Sequence, residues 1–252
     1  MTTLFDCALN GVLLSSLSQR ISVLDIQYSA PNVHQTALTL FPEGRQQLQL
    51  RRDSLTVKVI FAVHEEKPHL RTRDLQRIRD WAAPGGVLTT TDHPDRQLTV
   101  ICTRLPDATA EDWTEACSLT FQTTRCPYWE DAILSSASGS DALSIYIPGS
   151  AAYTLVNAMI MNASDENITR ITLHAGTTRM TFENILFPAG QLLILNETDG
   201  PLKAEITGES ILHCRTADSD DLLLLPCGKE STVYATADKA VSAGFTARGR
   251  YL

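Results

Sequence analysis

The chain has 252 residues, of which 43% are hydrophobic and 20% charged, with a net charge of −8. That length suits two ordinary domains or one large all-β domain, and either half can bury a core without metals or disulfides. No apolar run approaches the ~20 residues of a membrane span, and neither residues 1–130 (13 basic, 15 acidic) nor residues 131–252 (8 basic, 14 acidic) carry the basic excess that nucleic-acid binding requires.

The opening Met1-Thr2-Thr3-Leu4-Phe5-Asp6 has no basic region followed by an apolar one, so no secretory signal is expected and folding is placed in a cytoplasm. Cys7, Cys102, Cys117, Cys126, Cys214 and Cys227 show neither a C-x-x-C pair nor finger spacing, and read as reduced thiols. Residues 4–17 read as a hairpin, because Asn10-Gly11 between apolar flanks suits a type I′ turn. Ile21–Tyr28 is a strand. Ser29–Gln47, with Pro31, Pro42 and Gly44, reads as an extended arm or long hairpin.

Leu55, Val57, Val59, Phe61 and Val63 alternate as one buried face of a strand. A short helix is expected from about Pro68 to Ala82, with Pro68 in its first turn and an apolar stripe of Leu75, Ile78 and Ala82. Pro84-Gly85-Gly86 ends it. Its arginines lie on a solvated face, where Asp74 is placed to pair with Arg77 or Arg79. Thr89–Arg104 is a hairpin turning at Asp92–Asp95, and Ala116–Thr124 alternates as a further strand. Between Asp131 and Asp141 the chain thins to serine, alanine and glycine, which reads as a flexible linker.

The rest is strand after strand: Leu143–Ile147, Tyr153–Asn162, Thr169–His174, Met180–Leu186, Gln191–Asn196, Ala204–Thr207, Ser210–Arg215, Leu222–Pro226, Ser231–Ala237 and Val241–Tyr251. Turn residues recur about every ten positions, the spacing of a two-sheet antiparallel sandwich. The fold class expected is therefore mainly β. It has a β-rich domain over 1–130 with one short helix and an extended arm, a linker over 131–141, and a β-sandwich over 142–252.

No catalytic set emerges. His64 and His69 are five apart across Pro68, where the zinc-protease helix needs four. His93 reads as a surface turn and His213 as core or edge. Gly228-Lys229 lacks the earlier glycine of a phosphate loop. Asn162, Asn167 and Asn196 match the glycosylation pattern only by chance. Asp218, Asp220 and Asp221 are adjacent acids in one loop, a weak calcium pattern. No enzyme activity, cofactor or metal is expected.

Several stretches together resemble the N-terminal domain of the distal tail proteins of long non-contractile-tailed bacteriophages. They are Phe5 to Asn10-Gly11, the strand Leu55–Val63, the helix ending Ile78-Arg79-Asp80-Trp81 before Pro84-Gly85-Gly86, and the exit from Phe121 through Arg125-Cys126-Pro127-Tyr128-Trp129. The second half is similar to that family's C-terminal galectin-like sandwich, ending Ala247-Arg248-Gly249-Arg250-Tyr251-Leu252. The resemblance spans nearly the whole chain and rests on the order and length of elements. It implies a structural protein of the virion tail tip, made in the host cytoplasm. The N-terminal (belt) domains would close a hexameric ring beneath the tail tube protein, with DNA leaving through the lumen. The C-terminal domains would carry or flank receptor-binding proteins, and a tail-associated hub or fibre protein would dock on the distal side.

Closed rings need two unlike patches on each subunit. Arg45, Arg51 and Arg52 on the arm are candidates for one, and Arg73 and Arg77 on the helix for the other. Pro127, Tyr128 and Trp129 are expected at the junction between domains. The alternative is a carbohydrate-binding receptor-recognition module. Against it, residues 131–252 hold no tryptophan, and most of Tyr146, Tyr153, Phe182, Phe187, Tyr234, Phe245 and Tyr251 read as core.

Overall fold

The computed structural model describes residues 5–39, 45–106, 116–124, 126–196 and 202–252, with backbone alone over 35–39 and 45–51. The protein is mainly β with antiparallel sheets, and has one α-helix among the described residues. It divides into two compact units, Met1–Trp129 and Glu130–Leu252.

The first unit opens with β1 (Cys7–Leu9) and β2 (Val12–Leu13). Asn10 and Gly11 join them at φ of 52° and 81°, the pair of positive values a type I′ turn demands. Then come β3 (Ile21–Ser29), β4 (Val33–Thr39), β5 (Arg45–Arg52), β6 (Thr56–Val63), α1 (Pro68–Ala82), β7 (Gly86–Thr90), β8 (His93–Arg104) and β9 (Cys117–Thr123). Seven of the strands form one antiparallel sheet in the order β2-β1-β7-β8-β9-β6-β3.

The expected inward face of β6 is the centre of the core: Val57, Val59, Phe61 and Val63 are at most 1% exposed. Leu119 and Phe121 of β9 and Leu75, Ile78 and Ala82 of α1 join them. Each of the larger side chains stabilises by about 1.5–3 kcal/mol through burial. Trp81 meets Phe121 edge-on at 6.1 Å, and its indole N–H donates to the Val12 carbonyl at 3.0 Å.

Two local expectations change here. The β7–β8 turn lies earlier than Asp92–Asp95, because His93 is already in β8 and pairs with Thr90. Its ring packs on Trp129 at 4.8 Å and Tyr28 at 5.6 Å, and the Tyr28 hydroxyl donates to Asp92 at 2.7 Å. That aromatic contact draws His93 out of the turn, and Pro94 falls in the register shift that follows, where no ladder N–H is needed. Asp74 is also not solvated: it is 0% exposed, and its first partner is Arg20.

β10 (Trp129–Gly139) starts at the last residue of the first unit and runs into the second, which also contains β11 (Leu143–Ile147), β12 (Tyr153–Asn162), β13 (Ile168–Ala175), β14 (Thr178–Phe187), β15 (Leu192–Leu195) and β16 (Ala204–Ile206). It continues with β17 (Glu209–Ser210), β18 (Leu224–Pro226), β19 (Lys229–Ala237) and β20 (Val241–Tyr251). One sheet runs β17-β16-β15-β12-β20-β10, with β18 also on β12, and the other runs β11-β19-β13-β14. Their inner faces meet through Val156, Ala158, Ile160, Phe245 and Ala247 on one side and Ile171, Leu173, Met180, Phe182 and Phe187 on the other, all at most 4% exposed.

The stretch expected as a linker is strand as far as Gly139 and is hydrogen-bonded beside β20. The partner strand overrides the weak β propensity of serine and alanine. The strand expected over Ser210–Arg215 ends at Ser210, and a 3-10 turn takes Leu212–Cys214. Ile211, 7% exposed, anchors that turn in the core. Asn162 is 1% exposed, and its amide donates to the carbonyls of Glu166 and Phe187 at 2.8 Å each, a structural role.

The chain's last strand is tightly held. Arg250 pairs with Glu130 at 2.9 Å, and Arg248 donates to the carbonyls of Asp131 and Ala132 at 2.7 and 2.9 Å. Gly149 sits at φ +127°, and a Cβ there would lie 2.2 Å from the Arg250 carbonyl oxygen. A Cβ on Gly249 would lie 2.6 Å from the Pro148 carbonyl oxygen. Close backbone approach explains both glycines.

Candidate assembly surface

The arm is a hairpin, and it extends to Arg52, beyond the Gln47 expected from sequence. β4 and β5 pair from Val33↔Arg52 to Thr39↔Arg45, with a register shift at Thr36/Ala37. Alternating Gln47, Leu48, Gln49 and Leu50 carry the strand pattern onward. The two strands form a sheet of their own and pair with no other strand among the described residues. A two-stranded ribbon alone is marginal in water.

At its base, His34 meets Asp53 at 2.8 Å and the Asp53 N–H donates to the Asn32 carbonyl at 2.9 Å. Arg52, Asp53, Ser54, Thr123, Thr124, Cys126 and Pro127 line a recess of about 100 Å³ there. Two residues singled out separately from sequence, Arg52 and Pro127, thus share one recess. Arg45 lies at the far end of the ladder, opposite Thr39, and Arg51 lies opposite His34 near the base. Trp129 is 5% exposed against Tyr28 and His93, so it anchors the end of the first unit from inside.

On α1, Arg73 and Arg77 are both exposed and four residues apart, on one helical face. Arg77 lies 3.5 Å from Asp74. Beneath them, Asp74 accepts from Arg20 Nε at 2.7 Å and Ser18 Oγ at 3.2 Å. Burial alone would raise that carboxyl, but the hydrogen bonds from Arg20 and Ser18 and the charges of Arg20 and Arg77 hold it below the usual carboxylate range. Arg20 also reaches Glu65 at 3.3 Å. The guanidinium of Arg79 donates twice to the Pro106 carbonyl, at 3.1 and 2.8 Å. The arginine-rich helix is therefore partly an internal tie, and Arg73 and Arg77 are what it presents outward.

The sheet of the first unit adds two surfaces that sequence reasoning missed. Its terminal strands, β3 and β2, each pair on one side only among the described residues. Leu24 is skipped by the β3–β6 ladder between Val23 and Asp25 and is 46% exposed. Val12 and Leu13 on β2 are 46% and 43% exposed. The one signal in the sequence was Ile21–Tyr28 itself, a strand pattern apolar on both faces.

The other candidates resolve into structure. His64 precedes α1 and bonds Ser22 at 2.6 Å. Asp218 pairs with Arg179 at 2.8 Å, Asp221 with Arg215 at 3.1 Å, and Asp220 accepts from the Arg179 backbone N–H at 2.7 Å. That loop spends its acids on arginines and backbone. Among the described residues no group of three or more His, Cys, Asp or Glu could hold a metal ion. None of the six cysteines is joined in a disulfide.

No family model matches the sequence, and no curated protein matches it. Solved structures do. The SPP1 Dit (gp 19.1) protein, described as a paradigm of the hub adsorption apparatus in phages that infect Gram-positive bacteria, aligns with a TM-score of 0.70 and 14% identity. The alignment covers 98% of this chain and 99% of that one. A chain of the phage P2 baseplate in its activated conformation with Ca aligns with a TM-score of 0.53 and 6% identity, covering 97% of each. At these identities the likeness is one of fold, and it runs the full length of the chain.

Proposed function

We propose that this chain is a structural hub of a bacteriophage tail tip. Six copies close a ring through their first units, joining the tail tube protein to a tail-associated hub, fibre or receptor-binding protein, with DNA passing through the opening. The second unit is a galectin-like mount for those neighbours. The chain folds in the host cytoplasm and ends in the virion, with no catalytic role. One observation carries the reading: end-to-end likeness of fold to the Dit hub protein, at 98% and 99% coverage.

Physical features support it. A ring subunit needs two unlike contact surfaces, and among the described residues the first unit offers a hairpin that pairs with no other strand and a long open sheet edge, β3. Exposed strands are what neighbouring copies pair with. The acidic balance of −8 suits a duct that must not hold phosphates. Arg45, Arg51 and Arg52 on the hairpin and Arg73 and Arg77 on α1 are the charged contacts proposed for the two sides.

Native mass spectrometry tests this. Six copies of the 27.7 kDa chain give about 166 kDa. The double variant Arg45→Glu, Arg52→Glu is expected to shift the population towards monomer, while circular dichroism stays unchanged. A wild-type mass that stays at one chain when tube protein is added would defeat the ring. An unchanged assembly in the double variant would remove the arm from the interface.

A further inference from the structure

The two sheets of the second unit turn unlike outer faces to solvent. In β13, Ile171, Leu173 and Ala175 are 0% exposed, so Arg170, Thr172 and His174 face out, the polar surface expected of an antiparallel sandwich. β12 does the opposite. Val156, Ala158 and Ile160 face the core at no more than 4% exposure, and Met159 and Met161 face out at 49% and 42%. The ladder carries that apolar face sideways onto β15, with Met161 opposite Leu192 and Met159 opposite Ile194. On its other side β12 pairs with β20, where Ser242 lies opposite Met161, Gly244 opposite Met159 and Thr246 opposite Asn157. No outward side chain along that stretch of β20 is larger than threonine.

β10 follows β20 in the sheet. Its Ile133 and Leu134 are 82% and 41% exposed, and successive residues of a strand point to opposite faces, so one of the two stands on this face. Arg248, the next outward residue of β20, donates to the carbonyls of Asp131 and Ala132, which sets Ile133 and Leu134 near that end. The outer face is therefore a trough. Small residues of β20 form its floor, the methionines of β12 one bank and an apolar residue of β10 the other. Strands about 4.8 Å apart place the banks roughly 10 Å from each other, the width of an α-helix with its side chains. The floor from Ser242 to Thr246 runs roughly 13 Å, or about two and a half helical turns.

We infer that this trough docks a short amphipathic α-helix of a partner protein, one whose polar flank is basic. The apolar stripe of such a helix fills the floor and rests on both banks. Methionine suits the task, because its unbranched, polarisable side chain adapts to an uneven apolar surface. Charge decides the flank. Glu205 lies opposite Ile194, on the same face, and has no basic partner among the described residues. Arg248 is already held by two backbone carbonyls, and residues 131–252 carry 14 acidic against 8 basic residues. A basic flank is drawn to that surface and an acidic one is repelled. The inference rests on the reading of the second unit as a mount, and names the face it uses and the kind of neighbour it takes.

Fluorescence anisotropy of labelled peptides against the full chain tests this. One peptide is built of leucine and lysine with its leucines on one helical face, a second scrambles that composition, and a third replaces each lysine by glutamate. The first is expected to bind at least tenfold more tightly than either of the others. Gly244→Lys fills the floor, and the site has room, since the backbone there is not left-handed and a Cβ meets only the Met159 carbonyl oxygen at 3.7 Å. It should weaken binding at least tenfold. Tyr146→Lys, the same change of charge at a 57% exposed position on the other sheet, should leave binding unchanged. Should Gly244→Lys unfold, the exposed pair Met159→Ala, Met161→Ala decides in its place. No binding of the patterned peptide, equal binding of the scrambled or acidic one, no loss in a folded Gly244→Lys, or an equal loss in Tyr146→Lys each overturns the inference. So does a wild-type mass that Gly244→Lys halves, because a second copy then occupies the face. A chain that forms the ring yet ignores the peptide defeats this inference alone, and a monomer that binds it defeats the ring alone.

Discussion

The two units treat their strand edges in opposite ways. In the first, β3 is nine residues long and pairs with β6 alone among the described residues, Leu24 stands out beside it, and the β4–β5 ribbon pairs only with itself. In the second, the outer edge of β14 is covered. The Thr216 N–H donates to the Thr181 carbonyl at 3.0 Å, the Asp220 N–H donates to the Arg179 carbonyl at 2.9 Å, and Arg215 bridges to Phe182. The opposite edge, β11, is only five residues long. Open edges invite other chains, and short or covered ones refuse them. One sequence thus contains a unit with a long open edge and a unit in which the edges of the β11-β19-β13-β14 sheet are short or covered. That contrast, more than any side-chain cluster, argues for a structural role.

The largest effect expected on the closed unit comes from Gly149→Ala. The position combines φ +127° with a Cβ only 2.2 Å from the Arg250 carbonyl oxygen. Strained backbone and overpacking each cost about 1–3 kcal/mol, so destabilisation by about 3–5 kcal/mol is expected, with the pairing of β20 loosened. All three tryptophans precede residue 130, so tryptophan fluorescence reports the first unit. Hydrogen exchange in β20 should accelerate. A wild-type exchange pattern in β20 would mean that the close approach at Gly149 does not hold the strand.

Next in size is Asp74→Ala, which tests the internal tie of the first unit. It removes a 0% exposed carboxylate that accepts from Arg20 and Ser18. Hydrogen bonds to charged groups contribute about 1.5–3 kcal/mol, and a loss of about 2–3 kcal/mol is expected by tryptophan-monitored urea unfolding. The pH dependence follows from the direction of the shift. The Asp74 carboxyl is lower in the folded chain than its unfolded value of about 3.9. Its contribution is complete above that value and is lost as pH falls through the folded one. Wild-type stability in the first unit should therefore fall on acidification below about pH 5, and Asp74→Asn should flatten that limb. An identical acid limb in Asp74→Asn would show that other carboxylates set it.

Much of this fold was legible where a single period ruled. The β6 alternation, the α1 bounds with Pro68 at the start, the Asn10-Gly11 turn and the limits of β11, β12 and β20 follow from local pattern. What escaped was decided by distant partners. Nothing near Ser135 and Ser136 announces a strand, since β20, more than a hundred residues later, supplies the ladder. Asp74 read as a surface charge because its partner Arg20 lies 54 positions away. The exposed tyrosines escaped for the opposite reason. Tyr146 and Tyr153 sit in strand patterns that suggested core, yet they occupy outward registers at 57% and 56% exposure. A sheet face is fixed by which neighbour residues turn inward, and period two alone leaves that choice open. Of the candidate surface, the arm was visible as Pro- and Gly-marked sequence, whereas the open edges of β2 and β3 exist only once the strand order is known.

The smallest effect expected bears most directly on the contrast of edges. Asp220 holds the covering loop to β14 by accepting from the Arg179 backbone N–H at 2.7 Å while its own N–H donates to the Arg179 carbonyl. Asp220→Ala keeps the second bond and loses the first, at a cost of about 1 kcal/mol. Global stability should barely change. The local consequence is larger, because the loop opens more often and bares a ten-residue edge strand. Exchange at the amides of Arg179 and Thr181 should accelerate severalfold, and light scattering should show slow self-association absent from wild type. If both amides keep wild-type protection, the loop is not what closes this edge, and the contrast between the two units fails at β14.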